Sequence, residues 1–221
     1  MNYSVQSSVI ISDVAISLPA PVDYPATESP YGANGMGDPR SFVTADINGD
    51  GHLDIFLHPS YFAFVPAMGP IVMLNDGKGG FYNGTAQVFK TVPVFGQTNN
   101  VFFNDFNKDG KVDFFVVDQG LELRGKDGTS FDGGTNGLFL QGADGFFVDA
   151  SATLTHNAAN FNHVSSMADV NGDGNADIVL TTLGGSSFEG QGTAFYLGDG
   201  KGGFSYTTAG LPEEIRYKPV A

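Results

Sequence analysis

The sequence predicts an all-β protein built from one repeated unit, and three observations lead there. Glycine fills 31 of 221 positions without a collagen-like triplet period, about double its ordinary usage. Such usage serves tight turns between many short strands. The apolar stretches are short and rich in β-branched and aromatic residues, and no long segment of 3.6-residue period stands out. A nine-residue pattern occurs three times, each time followed by an apolar stretch.

Composition narrows the function classes. Ten Lys and Arg against 24 Asp and Glu give a net charge of −14, which repels phosphate backbones and argues against nucleic-acid binding. The absence of Cys removes disulfides, zinc–thiolate sites, iron–sulfur clusters and thiol nucleophiles together. No apolar run approaches the ~18 residues of a helical membrane span. Val9 to Leu18 comes nearest to a signal-peptide core, but Asp13 interrupts it and no Lys or Arg precedes it. It reads as a strand. Residues 18–39 hold Pro19, Pro21, Pro25, Pro30 and Pro39 and read as an extended loop.

The repeats begin at residue 41. Asp46-Ile-Asn48-Gly-Asp50-Gly51-His52-Leu-Asp54 recurs as Asp105-Phe-Asn107-Lys-Asp109-Gly110-Lys111-Val-Asp113 and as Asp169-Val-Asn171-Gly-Asp173-Gly174-Asn175-Ala-Asp177. Five fixed positions match by chance on the order of once per million starting points. Three matches in one short chain are not chance. A second landmark follows each loop: Leu74-Asn-Asp-Gly-Lys-Gly-Gly-Phe81, the shortened Leu140-Gln-Gly-Ala-Asp-Gly-Phe146, and Leu197-Gly-Asp-Gly-Lys-Gly-Gly-Phe204.

Four strands per unit follow from these landmarks. Ser41 to Ala45 leads into the first loop and Leu53 to Leu57 leaves it; Val112 to Val117 and Ala176 to Thr181 take the same exit position. Pro70 to Leu74, Gly137 to Leu140 and Thr193 to Leu197 precede the Gly-rich turns, and a last strand starts at Phe81, Phe146 or Phe204. Asn-Asp-Gly and Gly-Asp-Gly are hairpin signals. The repeats then span about 41–100, 101–164 and 165–210. Residues 119–136 form a Gly- and Asp-rich insertion, and residues 211–221, with Pro212 and Pro219, read as a connection without a clear strand.

The loop chemistry suits a hard cation. Positions 1, 3 and 5 offer Asp, Asn and Asp oxygens, position 7 a backbone carbonyl, and position 9 another carboxylate. The candidate ligands are Asp46, Asn48, Asp50, the His52 carbonyl and Asp54; Asp105, Asn107, Asp109, the Lys111 carbonyl and Asp113; Asp169, Asn171, Asp173, the Asn175 carbonyl and Asp177. An all-oxygen set favours Ca²⁺, about three ions in all, over zinc or copper. An EF-hand needs Glu at position 12 and flanking helices, whereas position 12 here is Leu57, Val116 or Leu180. The bland alternative is an Asx-rich turn that binds nothing. Three carboxylates within nine residues repel one another unless a positive charge lies between them, which favours the ion.

The loops, the strand after each and the later Gly-rich turn resemble the FG-GAP/VCBS repeat family, whose best-known members are integrin α-subunit heads. The likeness spans about residues 40–207. It implies a β-propeller of four-stranded blades, here about three to four, with Ca²⁺ between successive strands of a blade. It further implies extracellular or cell-surface adhesion, with a protein or glycan ligand. Family propellers commonly hold seven blades, so another chain, a second copy or a further chain segment is expected to complete the ring.

Other patterns carry less. Gly198, Gly200 and Gly203 fit a dinucleotide fingerprint, but the residues after them read as strand rather than helix. His52, His58, His156 and His163 fit surface or inter-sheet packing better than catalysis, and no catalytic constellation stands out. The runner-up functions are a polysaccharide hydrolase or lyase on the same scaffold and a purely structural module. The absence of Trp leaves only Tyr and Phe as sugar platforms.

Overall fold

The computed structural model describes residues 40–59, 69–120, 133–182, 190–216 and 218–219. The strand expected at Val9 to Leu18, the loop at 18–39 and residues 121–132 of the insertion lie outside these. Three antiparallel meanders make up the fold. The first runs β1 (Arg40–Ala45), β2 (Asp54–Pro59), β3 (Ile71–Asn75) and β4 (Phe81–Asn83). The second runs β5 (Thr98–Asn104), β6 (Asp113–Asp118), β7 (Gly137–Gln141) and β8 (Phe147–Asp149). The third runs β9 (Asn162–Ala168), β10 (Asp177–Thr182), β11 (Gly190–Gly198) and β12 (Phe204–Thr207). The all-β expectation and the four strands per repeat hold, and no sheet closes on itself among the described residues.

The Gly-rich landmark is a hairpin each time. The Asp76 N–H donates to the Gly80 carbonyl at 2.9 Å, and the Asp199 N–H to Gly203 at 3.0 Å. Strand β12 follows the second, so the Gly198 pattern opens no helix. Two single-turn helices depart from the sequence reading: α1 (Thr85–Val88) and a 3₁₀ turn at Ser151–Thr153. Both are too short to show a helical period, and both fold because they satisfy strand ends. Thr85 Oγ1 accepts the Val72 N–H at 2.9 Å, and Ser151 Oγ accepts the matching Leu138 N–H at 3.0 Å. The chain end also differs from its expected lack of strand. Lys218–Pro219 forms β13 against Gly190 and Gln191 of β11.

Two apolar clusters hold the sheets together. The first joins Phe56, Val72 and Leu74 to Phe114, Val116 and Phe139; the second joins Phe115 and Leu138 to Ile178, Leu180 and Tyr196. Strand β6 therefore sends alternate side chains to opposite neighbours, and all six of its residues are buried. The middle sheet is the filling of a sandwich. Phe114 stacks on Phe139 with ring centroids 4.6 Å apart and meets Phe147 edge-on at 4.9 Å. His58 is buried at the end of β2, and the His156 ring lies 4.5 Å from that of Tyr206, both in packing positions.

Asp118 closes β6 from inside. Its carboxylate accepts the Gly96 and Gly120 N–H groups, each at 2.8 Å. Burial pushes its pKa above the ordinary carboxyl value, against the pull of these bonds.

Two outcomes follow. Phe114→Ala removes the central ring of the first cluster, costs about 3–5 kcal/mol and lowers the melting temperature by roughly 10 °C; thermal unfolding followed by circular dichroism reads it. For Asp118 the folded protein holds the proton more tightly than the unfolded chain. Its contribution to stability is present below the ordinary carboxyl range and is lost as pH rises through the raised value. Asp118→Asn cannot titrate, so denaturant titrations across that range will show a flatter profile for the variant than for the parent.

Candidate metal centres

Each nine-residue loop joins the first two strands of its sheet, at 46–54, 105–113 and 169–177. The three share one hydrogen-bond pattern. Asp46 accepts the Asp50 N–H on one oxygen at 3.0 Å and the Gly51 N–H on the other at 2.9 Å. Asp105 does the same for Asp109 and Gly110 at 3.0 and 2.8 Å, and Asp169 for Asp173 and Gly174 at 3.2 and 2.9 Å. Asn48, Asn107 and Asn171 accept that same position-5 N–H through Oδ1. Asp50, Asp109 and Asp173 accept the N–H of His52, Lys111 and Asn175. Positions 1 and 3 thus place their oxygens on a common donor, within one tight turn.

Left-handed backbone makes the turn. Gly49, Gly51, Gly172 and Gly174 all have φ between 76° and 88°, a region that costs an ordinary residue free energy. The second loop carries Lys108 at φ 59° in place of Gly. Its ammonium reaches the Gly174 carbonyl of the third loop at 3.3 Å.

Position 9 behaves differently. Asp54, Asp113 and Asp177 have no exposed surface. Asp54 accepts the Ile47 N–H at 2.9 Å on one oxygen and the Asn75 N–H at 2.8 Å on the other. Asp113 spans Phe106 and Gln141 at 2.9 Å each, and Asp177 spans Val170 at 3.0 Å and Gly198 at 2.8 Å. Each carboxylate ties its own loop to the third strand of the sheet. The sequence reading assigned these residues to the ion alone; the structure gives them this structural task. The signal was the invariant Asp at the start of an otherwise apolar strand.

Electrostatics separates the two groups. The Asn48 side-chain amide, then the His52 N–H, hold Asp50 below the usual carboxylate range; the Lys111 ammonium does so for Asp109, and the Asn175 N–H for Asp173. Burial pushes Asp54 and Asp113 upward. The exposed position-5 groups are therefore firmly ionised, and the buried clamps at Asp54 and Asp113 are charged at a cost. Among the described residues no three Asp, Glu or His side chains converge into a ready-made metal cage. The oxygens at positions 1, 3 and 5 face backbone N–H groups, and position 9 turns into the sheet.

Further residues belong to the site that the sequence reading did not assign. Gly77 and Gly200 of the hairpins stand against the position-7 side chains: a Cβ there would fall 2.5 Å from His52 Nε2 or Asn175 Oδ1. Gln141 of the second sheet donates its Nε2 hydrogen to the Ile47 carbonyl of the first loop at 2.8 Å. Comparison with protein-family models finds no match, and comparison with curated proteins finds none either.

The clamp and the exposed ligands separate on substitution. Asp54→Ala leaves two N–H groups without their acceptor, at about 1–3 kcal/mol each. Asp50→Ala in chelator leaves the unfolding midpoint close to that of the parent, because the side chain is exposed. Urea unfolding of both variants in chelator gives the two values.

Proposed function

We propose that this chain is a calcium-binding β-propeller module of the FG-GAP/VCBS kind, whose ions rigidify the loops and whose loop edge binds a protein or glycan outside the cell. The observation that carries the reading is the common wiring of three loops with an all-oxygen donor set. Position 1, 3 and 5 oxygens lie within one turn in each, and the position-5 carboxylates are held ionised. Hard oxygen donors and a sharp Gly turn are what Ca²⁺ selects. Residues at positions 1, 3 and 5 with the position-7 carbonyl would hold each ion, and the position-9 carboxylate has about four lone-pair sites against the two or three its N–H bonds use. Nine of the 24 acidic residues lie in these loops, so three ions would reduce the net charge from −14 to −8. The propeller reading draws on the sequential packing of like sheets, each rear face against the front of the one before.

Calcium is the test. Binding to the folded state alone stabilises it by about 2.7 kcal/mol per site at a hundredfold excess over Kd, so added Ca²⁺ raises the melting temperature and a chelator lowers it. Native mass spectrometry will count about three ions, and Asp50→Ala, Asp109→Ala and Asp173→Ala will each remove one. A melting temperature indifferent to chelator overturns the calcium assignment. A glycan array probed with and without chelator then separates sugar from protein ligands.

A further inference from the structure

The three loops share their ligand positions but not their support. Position 2 lies between the first two side-chain ligands, so its peptide groups set where both stand. In the first loop this residue is Ile47, fully buried in the apolar cluster between the first two sheets. The Asp54 carboxylate accepts its N–H at 2.9 Å, and Gln141 Nε2 donates to its carbonyl at 2.8 Å. Gln141 ends β7 and is itself buried. Its two amide groups serve different loops. The side chain holds the first, while the backbone N–H donates to Asp113, the position-9 carboxylate of the second, at 2.9 Å. In the second loop the position-2 residue is Phe106, whose carbonyl accepts the Gly202 N–H at a longer 3.3 Å.

Charge divides the loops as well. Each carries three carboxylates, and in each the second oxygen of the position-5 Asp takes a side-chain donor. In the first and third loops that donor is a neutral amide, Asn48 to Asp50 and Asn171 to Asp173, both at 2.9 Å. In the second it is the Lys111 ammonium, 3.0 Å from Asp109. Lys108 adds another positive charge to the second loop, and its ammonium ends 3.3 Å from the Gly174 carbonyl, one residue after Asp173 of the third. Its charge is the last of the influences, after the Asn175 N–H and the Asn171 amide, that hold Asp173 below the usual carboxylate range. The first loop contains no Lys or Arg, and no ammonium pairs with its carboxylates among the described residues.

We infer that the first loop is the tightest of the three calcium sites and takes its ion before the other two, with Gln141 as its positioning residue. The inference rests on the calcium reading above and deepens it. A loop already held in shape loses less freedom when its ligand arrives, and at Ile47 a buried side chain from another sheet does that holding. A cation entering the second or third loop meets an ammonium group nearby, and in the second that group sits on a ligand carboxylate. Charge at the site is one of the levers that spreads calcium affinity over decades among loops of like oxygen donors. Neither lysine has a ligand role to offset this. Position 7 offers only its backbone carbonyl, and Lys108 stands at position 4, where the other two loops have Gly.

The test titrates the full chain, stripped of metal, with calcium at about pH 8, above the ordinary histidine range. Native mass spectrometry counts the ions, and competition with a chromophoric chelator gives their affinities. A one-ion species will form first; it will vanish in Asp50→Ala and persist in Asp109→Ala and Asp173→Ala. Gln141→Met keeps the backbone bond to Asp113 and removes the side-chain donor. It will weaken the first ion about tenfold and leave the later two as they were, whereas a general loss of packing would shift all three alike. Lys108→Gly combined with Lys111→Gln will tighten the later two about tenfold and leave the first unchanged. Three ions of equal affinity overturn the inference, as does a one-ion species that survives Asp50→Ala. So does a folded Gln141→Met variant whose first ion binds as in the parent, or a lysine variant that titrates like the parent. Where Gln141→Met fails to fold, the Asp and Lys variants decide alone. In each of these outcomes calcium still binds and the reading above stands; a parent chain that takes no calcium overturns both.

Discussion

A carboxylate with no exposed surface, bonded through one oxygen to the loop behind it and through the other to a neighbouring strand, recurs at Asp54, Asp113 and Asp177. Removing a charge from water is costly, and two N–H bonds to each carboxylate offset that cost. The geometry they impose reaches across the sheet. With Asp54 bonded to the Asn75 N–H, β2 cannot slide along β3, and the same holds for Asp113 with Gln141 and Asp177 with Gly198. Register is what assigns Phe56 to one face and Ile55 to the other, because a slip of one residue exchanges the faces. Both apolar clusters depend on that assignment.

The repeat, the strand order and the hairpins were legible because each leaves a local mark. Gly and Asx residues at fixed offsets punctuate the turns, and β-branched and aromatic runs fill the strands between them. The exits from the loops at Asp54, Asp113 and Asp177 fall within a residue or two of the expected starts. What escaped was non-local. The single turn at Thr85–Val88 exists because Thr85 caps a strand 13 residues earlier, and β13 exists because β11 offers it an edge. Neither partner is visible from the segment itself.

The candidate site divides along the same line. Positions 1, 3 and 5 interact within their own loop, so the spacing alone disclosed them. Position 9 reaches a residue 21 to 28 places away, and its structural task could not be read from nine residues. Lys108 is a similar case. Its departure from Gly was plain in the sequence, but its contact with the Gly174 carbonyl spans 66 residues. Together with the Gln141 bond to Ile47, it links loops that the repeat pattern presents as separate units.

The burial of β6 on both faces also orders the way the molecule comes apart. Its backbone amides are sealed by Phe114 and Val116 on one side and Phe115 and Val117 on the other, so solvent reaches them only after a neighbouring sheet has lifted away. Local opening begins where few apolar contacts hold the backbone, which here means the outer strands β1 and β12 and the rims of the loops. Deuterium would therefore enter from both ends of the stack and arrive at Phe114 to Val117 last. Exchange at that strand reports the opening of the whole assembly rather than the fraying of any one part.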